Sequence, residues 1–429
     1  MKKRSNTKAN IEDLAFFGGL PEFREPLHVG RPNIGNRERF LKRIEDMLDR
    51  RWLSNNGPYV QELEQHLSDR LGVKNCIVMC NGTVALEVAI RALELRGEVI
   101  VPSFTFVATA HALQWQEITP VFCDIDPHTH TLDPLCVEKM ITPRTTGIIG
   151  VHLWGRSCDI ESLEKIASIH QLKIIFDAAH SFGCSYKQKM IGSFGNAEIF
   201  SFHATKIFNA CEGGAIATND DKLAERIRLM KNFGFSGYDN VIYVGTNGKM
   251  NELSAAMGLT NLESIDEFIN VNRCNYQCYE EELKGLPGVS LIKYDPWEKS
   301  NYQYIILEID KSITGVSREW VAEILHSENI LARRYFYPGC HRMEPYRSYF
   351  PHAGLVLPVT EMLADRVLAL PTGTAVTIDD IKRTCQIIRF IVNNVDQITE
   401  KLQEISGVME NRGHEPGPFY YQSISASNK

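Results

Sequence analysis

The sequence predicts an α/β protein: a large domain with a mainly parallel central sheet, followed by a smaller α+β C-terminal domain. From about residue 74, apolar segments rich in β-branched residues alternate with amphipathic segments. This alternation is typical of parallel strands joined by helices that cover both faces of a sheet. After about residue 265 the helical segments are longer and strands such as YQYIILEI stand alone. That change of pattern predicts the second domain.

The elements of the large domain follow in a regular order. We expect strands in the segments CIVMC, EVIVPS, PVFCDID, TTGIIGVHLW, LKIIFD, EIFSFH and GGAIATN. Helices are expected over residues 83–95 and 160–170, with a further helix between EVIVPS and PVFCDID. The predicted boundaries are an N-terminal arm (1–30), a large domain (31–265), a small domain (266–405) and a flexible tail (406–429).

Composition narrows the classes of function. The chain has 429 residues, 44% of them hydrophobic, and a formal net charge of -7 with scattered basic residues. Binding to nucleic acid needs clustered Lys and Arg, so we expect no nucleic-acid partner. No apolar run approaches the ~20 residues that a membrane span requires. We therefore expect a cytoplasmic protein without a membrane partner.

Neither the cysteines nor the histidines predict a metal site. Two local pairs among the eleven cysteines are spaced C-x₃-C, whereas zinc sites use C-x₂-C, and this favours reduced thiols in the core. His128 and His130 lie in a turn rich in Pro and Asp without a third ligand alongside. We expect no metal.

Asp177 ends the apolar strand LKIIFD. In open α/β sheets ligands bind beyond the carboxyl ends of the strands, so this carboxylate is a candidate for a ligand contact. The alternative is that Asp177 caps the helix that follows, because Asp is a favoured N-cap residue.

Gly82 and Thr83 lie at another junction between a strand and a helix, in CNGTVALEVAIRALEL. Unpaired backbone N–H groups and the positive end of a helix can hold a phosphate there, and Thr83 adds a hydroxyl. Ordinary N-cap chemistry uses the same small residues and remains open as an alternative.

Lys206 ends the strand EIFSFH together with Ala204 and Thr205, at a strand-end loop crowded with donors and glycines that includes Ser201 and His203. Most lysines lie on the protein surface, and a surface position is the alternative for Lys206. An amine in such a loop can also bond covalently to a carbonyl. A phosphate cradle, a carboxylate for a protonated ring nitrogen and an amine for an aldehyde together suit pyridoxal 5'-phosphate.

Six segments resemble the DegT/StrS-type sugar aminotransferases, which depend on pyridoxal phosphate. They are WLSNNGPYVQELE, NGTVAL, VPSFTFVATAHAL, FDAAHSFG, SFHATKIFNACEGG and YVGTNGKMNELSAAMG. The likeness runs from about Trp52 to Tyr337, with the motifs in the family's order and spacing. It implies the aminotransferase fold type I.

The resemblance implies roles for four residues around the cofactor ring. Lys206 matches the lysine that bonds to the cofactor and then moves protons, and Asp177 matches the partner of the pyridinium nitrogen. His180 lies where the family places a His or Gln near the phenolic oxygen. Phe106 matches the aromatic residue that stacks on the ring, which suits a flat cation.

The resemblance also implies a phosphate site that two subunits share. Gly82, Thr83 and Ser201 match the phosphate-binding residues, and Asn247 matches a residue that reaches the phosphate from the neighbouring subunit. A homodimer with shared active sites follows. Without the family, Asn247 reads as a turn residue between Gly245 and Gly248.

For the reaction, the resemblance implies transamination with L-glutamate as donor and a nucleotide-linked ketosugar as acceptor. A related dehydratase branch has histidine where Lys206 stands. The segment SFHATK-x₂-N-x₂-EGG looks most like enzymes that aminate C4 of dTDP-4-keto-6-deoxyglucose to dTDP-4-amino-4,6-dideoxyglucose, by ping-pong kinetics. Amination at C3 and GDP- or UDP-ketosugars remain open.

Two other classes of function have less support in the sequence. A non-catalytic regulator that binds pyridoxal phosphate would keep Asp177, Thr83 and Lys206 but lack a sugar pocket, and no DNA-binding segment supports it. A nucleotide-sugar oxidoreductase would need G-x-G-x-x-G after the first strand, and NGTVAL lacks that pattern.

The segment 332–346, ARRYFYPGCHRMEPY, is a candidate for contacts with the nucleotide sugar. It interleaves aromatic residues with Arg333, Arg334, His341 and Arg342, which suit a diphosphate and a base. An equally good interpretation is a segment that joins domains, with buried aromatics and solvated arginines.

Overall fold

A seven-stranded sheet brings together, at one edge, the strand ends that carry the predicted site residues. The computed structural model describes residues 8–410, with side chains up to residue 404. In this part of the chain the strands of the sheet lie side by side in the order 75–79, 214–218, 197–201, 173–177, 145–151, 98–102 and 119–123. The strand at 214–218 runs antiparallel to both of its neighbours, and the other pairs are parallel. The prediction of a mainly parallel sheet is confirmed.

The described elements have these bounds. The strands are β1 (Leu27–His28), β2 (Asn75–Met79), β3 (Glu98–Pro102), β4 (Thr119–Cys123), β5 (Thr145–Val151), β6 (Lys173–Asp177), β7 (Ser185–Tyr186), β8 (Lys189–Met190), β9 (Ala197–Ser201), β10 (Gly214–Thr218), β11 (Val289–Leu291), β12 (Ile305–Ile309), β13 (Ile330–Leu331) and β14 (Val367–Leu370). The helices are α1 (Arg37–Arg50), α2 (Pro58–Leu71), α3 (Gly82–Ala92), α4 (Ala108–Gln114), α5 (Pro134–Met140), α6 (Ile160–Ile169), α7 (Asp221–Met230), α8 (Glu252–Leu262), α9 (Ile265–Leu283), α10 (Lys311–Thr314), α11 (Arg318–Ser327), α12 (Tyr346–Tyr349), α13 (Pro358–Ala364), α14 (Ile378–Asn393) and α15 (Val395–Glu410).

Both faces of the sheet are covered, which explains why its strands read as continuous apolar runs. Successive side chains of a strand point to opposite faces, and here both faces are buried. In β5, Ile148 joins one core with α2, α6 and α8, while Ile149 joins a second core with α3, α4 and α7. The sheet is therefore the middle of three layers.

The C-terminal part forms its own core. An antiparallel sheet of β11, β12 and β14 packs with α9, α11 and α14. The first described residues belong to this core: Leu14 and Phe23 are buried in it, and β1 pairs in parallel with β13. The buried carboxylate of Glu328 accepts hydrogen bonds from the backbone of Ala15 and Glu22 and pairs with Lys8 at 2.9 Å. The N-terminal arm is thus bound to the small domain.

The tail predicted over 406–429 begins inside a helix, because α15 continues to Glu410. Residues 411–429 lie outside the described residues. Among the helices that the structure describes, none has the length and apolar character needed to cross a bilayer.

One buried carboxylate joins the large domain to helix α13. Asp124, just after β4, accepts hydrogen bonds from the backbone N–H of Val359 and Thr360, at 2.9 and 2.8 Å, and from the Thr360 hydroxyl at 2.8 Å. These N–H groups begin α13 and have no partner within their own helix. The contact fixes the start of α13 against the large domain.

We expect Asp124→Asn to lower the free energy of unfolding by about 1–3 kcal/mol, because the amide leaves a buried N–H or hydroxyl without its acceptor. Urea denaturation followed by circular dichroism measures the change. The exposed Asp69→Asn is the control and should stay within about 0.5 kcal/mol of the parent. Equal stabilities of the two variants would contradict a structural role for the Asp124 contact.

Candidate active site

The candidate site lies beyond the carboxyl ends of the parallel strands. Asp177 is the last residue of β6, and Phe106 follows β3. Gly82 and Thr83 open α3 directly after β2. β9 ends at Ser201, so Lys206 lies in the turn after the strand and not at its end. Because β6 and β9 are neighbours in register, Asp177 and Lys206 are close enough for each charge to affect the other.

Lys206 is half-buried, with its amine beside Tyr304. Its backbone N–H donates to the carbonyl of His203 at 2.9 Å, and its Nζ lies 3.3 Å from the hydroxyl of Tyr304. Burial of the ammonium lowers the pKa of Lys206 to about 8, although the negative charge of Asp177 opposes that shift. A substantial fraction of the amine is therefore neutral, and nucleophilic, near neutral pH.

Asp177 is a buried carboxylate with defined donors. Its Oδ2 accepts a hydrogen bond from the Thr109 hydroxyl at 2.9 Å, and its Oδ1 accepts one from the backbone of Ala179 at 3.1 Å. Burial raises the pKa of Asp177, and the two hydrogen bonds and Lys206 oppose that rise. Residues 178–184 form turns and no helix, so the alternative role as a helix cap is wrong.

His180 is a neutral ring with a fixed tautomer. The backbone N–H of Trp154 donates to its Nδ1 at 3.2 Å, so the ring proton is on Nε2. Burial lowers the pKa of His180 well below its ordinary value, and the nearby Lys206 adds to the effect. The ring can therefore donate a hydrogen bond from Nε2 without carrying a charge.

The first turn of α3 keeps two backbone N–H groups free for an anion. The Asn81 side chain caps the helix by accepting from the N–H of Val84 at 2.8 Å. The N–H groups of Gly82 and Thr83 have no acceptor among residues 8–410. A Cβ on Gly82 would lie 3.1 Å from that of Ser201, so glycine lets Ser201 approach. The capping interpretation applies to Asn81, and the three predicted phosphate residues are adjacent.

An aromatic wall lines the site, and the sequence identified one of its rings, Phe106, but not Tyr304, Tyr335 or Phe336. Phe336 stacks on the ring of His180 at 5.8 Å between centroids, and Tyr335 stacks on Phe336 at 5.1 Å. The predicted Phe106 is largely exposed, with its ring centroid 6.4 Å from that of Phe336. Tyr304 lies against His180 at 4.5 Å. The available signal was the aromatic segment 332–346, without an indication of which of its rings faced the site.

The two arginines of that segment have different surroundings. The exposed Arg333 lies over the ring of Tyr335, 5.5 Å from its centroid, at the outer end of the aromatic wall. Arg334 and the fully buried Arg318 both lie against Tyr337, at 5.1 and 4.8 Å. Arg333 is therefore placed for an incoming ligand, whereas Arg334 belongs to the packing of the small domain.

The histidine and arginine that follow are bound to the protein itself. The Nδ1 of His341 lies 2.7 Å from the Ser103 hydroxyl, and its Nε2 lies 2.7 Å from Glu361. Arg342 pairs with the same Glu361. His341 and Arg342 therefore fit a segment that joins domains better than a contact with the nucleotide sugar.

Asn247 lies in an exposed loop, with its backbone paired to Asn232 and its carbonyl 4.0 Å from the sulfur of Cys80. The preceding residues carry large apolar side chains into solvent: Tyr238 is 99% and Val244 is 74% exposed. Apolar side chains exposed together mark a surface suited to a protein partner.

His128 and His130, the histidine pair considered as metal ligands, have different surroundings. His130 is buried with its Nε2 3.1 Å from Glu308, while His128 is exposed. Residues 8–410 contain no group of three or more His, Cys, Asp or Glu side chains arranged to hold a metal ion.

The arrangement suits a phosphorylated aromatic aldehyde. Free N–H groups beside Ser201 suit a phosphate, a buried carboxylate suits a protonated ring nitrogen, and a partly neutral amine suits an aldehyde carbon. The donor set therefore fits pyridoxal 5'-phosphate.

Comparison with known proteins finds sugar aminotransferases. The sequence model of the DegT/DnrJ/EryC1/StrS aminotransferase family matches residues 35–389. A dTDP-4-amino-4,6-dideoxy-D-glucose transaminase of Shigella dysenteriae is 37% identical over 87% of this chain and 99% of its own. A GDP-perosamine synthase of Caulobacter vibrioides is 34% identical over 367 residues, which are 83% of this chain and 96% of its own. The solved structure of DesI in the presence of its TDP-sugar product superposes with a TM-score of 0.88 at 49% identity, over 92% of this chain and all of that one.

We expect Lys206 to react with an amine-labelling reagent with half-maximal rate near pH 8, because burial lowers its pKa to about 8. Brief reductive methylation of the full chain without added cofactor, across a pH series and with peptide mass analysis, measures this rate. An ordinary lysine titrates at about 10.4. A midpoint for Lys206 at that ordinary value would show that the amine is not desolvated.

Proposed function

The chain belongs to the DegT/DnrJ/EryC1/StrS aminotransferase family, and we propose that it transfers an amino group from L-glutamate to the 4-keto group of dTDP-4-keto-6-deoxyglucose. The product is dTDP-4-amino-4,6-dideoxyglucose. The observation that carries the proposal is the desolvated pair of Lys206 and Asp177, together in one site beside a cradle for a phosphate. We place the reaction in the cytoplasm.

Pyridoxal 5'-phosphate is the proposed cofactor. When bound, it supplies an aldehyde and an electron-withdrawing ring that stabilises a carbanion. The N–H groups of Gly82 and Thr83 and the hydroxyl of Ser201 would hold its phosphate. Asp177 would keep the ring nitrogen protonated, and Phe106 would cover one face of the ring.

Lys206 and His180 supply the proton chemistry. With a pKa of about 8, Lys206 can act both as a base in its neutral form and as an acid in its charged form near neutral pH. Neutral His180, with its proton on Nε2, can donate a hydrogen bond to an oxygen without adding charge. The two groups thus divide proton transfer and hydrogen bonding between them.

The choice of nucleotide rests on the relatives. This chain is 49% identical to DesI, whose structure is described with a TDP-sugar product. Its match to the Shigella transaminase, which is named for a dTDP-sugar, covers nearly the whole length of that enzyme. The GDP-perosamine synthase is less similar at 34%. A dTDP-sugar is therefore the first candidate, and a GDP-ketosugar is the second. The exposed Arg333 over Tyr335 is the proposed contact for the nucleotide diphosphate.

We also propose that the active protein is a homodimer with shared active sites. The exposed apolar side chains Tyr238 and Val244 precede Asn247 in one loop, and a second copy of the chain would cover them. Asn247 would then reach the phosphate bound in the partner's site. Asn247 is free for this role because its side chain is exposed.

We expect the visible absorbance of the protein with pyridoxal phosphate to fade on addition of L-glutamate and to return with dTDP-4-keto-6-deoxyglucose. Each substrate should change the absorbance in the absence of the other, because the two half-reactions take place one after the other in the same site. Absorbance scans and mass analysis of the sugar measure the two steps.

Lys206→Ala is the control for those scans and should show neither change. GDP-4-keto-6-deoxymannose serves as the competing acceptor. Recovery of the absorbance with the GDP-sugar alone would reject the dTDP assignment, and a band that no substrate alters would favour the non-catalytic regulator.

For the shared site, we expect mixed dimers of Lys206→Ala and Asn247→Ala to recover activity that neither variant has alone. One of the two sites in such a hybrid has both residues intact, so recovery should approach a quarter of the parental rate after random exchange of subunits. Activity assays after mixing under mild urea measure it. No recovery, with hybrid formation confirmed by mass spectrometry, would place Asn247 in its own subunit's site or outside both.

A further inference from the structure

Tyr304 reaches the catalytic lysine from the other domain. It directly precedes β12 of the small sheet, and its hydroxyl lies 3.3 Å from Nζ of Lys206, which belongs to the large domain. Among residues 8–410, no other side chain lies within hydrogen-bond distance of that amine. The contact is therefore the main polar restraint on the end of the Lys206 side chain.

The segment that carries Tyr304 is bound to both loops of the site. The side-chain amide of Asn301 donates to the carbonyl of His180 at 2.8 Å, and that of Gln303 donates to the carbonyl of Thr205 at 2.7 Å. The Tyr304 carbonyl in turn accepts from the hydroxyl of Tyr294 at 2.8 Å. These bonds fix the backbone on either side of the ring, so the hydroxyl has a defined position.

We propose that Tyr304 is a positioning residue for Lys206, whose hydroxyl holds the side-chain amine whenever the amine is not bonded to the cofactor and stabilises its protonated form. The inference deepens the proposed function and rests on it for its catalytic meaning. The contact itself can be tested without cofactor or substrate.

The hydroxyl suits both states of the amine. A hydroxyl accepts a hydrogen bond from the ammonium and donates one to the neutral amine, so the contact survives each proton transfer. Burial raises the pKa of Tyr304 well above its ordinary value, so the hydroxyl keeps its proton over the working range. Hydrogen bonds to charged groups are about twice as strong as neutral ones, so the net effect favours the ammonium.

The effect of Tyr304 on the pKa of Lys206 can be distinguished from the effects of the other groups around the amine. Asp177 from β6 faces the amine as a negative charge and raises its pKa, while His180 in the following turn faces it as a neutral ring. The hydrogen bonds of Asp177 and His180 do not involve the Tyr304 hydroxyl, so they remain when that hydroxyl is removed. A shift in the pKa of Lys206 then reports on the hydroxyl.

Tyr304→Phe is expected to lower the pKa of Lys206 by about half a unit to one unit, a 3- to 10-fold change in the proton affinity. Reductive methylation of Lys206 across a pH series, on the full chain stripped of cofactor, measures it. Tyr335→Phe is the matched control, since it removes a hydroxyl from a neighbouring ring that does not bond to Lys206. The control should leave the midpoint where it is in the parent.

A midpoint for Tyr304→Phe equal to that of the parent overturns the proposal. Tyr304→Met is the second variant, which keeps an apolar side chain of adaptable shape without a hydroxyl, and it should shift the midpoint in the same direction. Circular dichroism shows whether each variant is folded. If Tyr304→Met folds and leaves the midpoint unchanged, the proposal is equally overturned.

The kinetic consequence separates this proposal from the proposed function. In the active protein, Tyr304→Phe should lower kcat of the glutamate half-reaction about 3- to 10-fold with little change in KM, because the amine is misplaced and glutamate is still bound. A raised KM with unchanged kcat would assign Tyr304 to glutamate binding and overturn the positioning role. If no substrate alters the absorbance of the parent, the proposed function fails while the pKa test of the Tyr304 contact still stands.

Discussion

The site depends on a half-buried cation, Lys206, and a buried anion, Asp177, that lie within reach of each other's charge. Burial alone lowers the pKa of Lys206 and raises that of Asp177, and each charge limits the shift of the other. Either group buried without its counterpart would tend to lose its charge. The neighbouring positions of β6 and β9 in the sheet make this possible, since Asp177 ends the first strand and Lys206 follows the second. The order of the strands is therefore a requirement of the chemistry.

The small domain completes the site that the large sheet begins. Its segment Asn301–Tyr304 binds the loop of His180 and the turn of Lys206, and Phe336 stacks on the ring of His180. On the large-domain side, Asp124 holds the start of α13. Contacts from both directions hold the two domains together around Lys206, which is half-buried. A change in the angle between the domains would hydrate Lys206 and return its pKa toward the ordinary value.

Much of the fold and part of the site could be predicted from sequence, because both are encoded locally. A buried parallel strand is a continuous apolar run, and Asp177 stands out as the first charge after one; Gly82 and Thr83 stand out at a strand-to-helix junction in the same way. Tyr304 is 98 residues from Lys206, and within YQYIILEI it looks like any other half-buried aromatic of a strand. Only the packing of one domain on the other gives that ring its partner.

Two adjacent arginines also show that sequence alone does not predict which contacts a side chain makes. Arg333 and Arg334 are identical in type and neighbouring in sequence, yet one lies exposed over Tyr335 and the other packs with the buried Arg318 on Tyr337. Periodicity cannot separate them, because the segment has neither regular helix nor regular strand there. The direction of each side chain depends on the irregular backbone between β13 and α12, and tertiary contacts alone determine that path.

The role proposed for Lys206, as both nucleophile and proton carrier, needs appreciable populations of its neutral and charged forms. At the ordinary lysine value of about 10.4, the neutral form near pH 7 would be rarer than one in a thousand, whereas at about 8 it is roughly one in ten. Burial without Asp177 would lower the pKa further and remove the acid form. Asp177 without burial would keep the amine charged and unreactive. The two opposing effects, in one water-poor site, hold Lys206 where it can give and accept a proton in each half of a transamination.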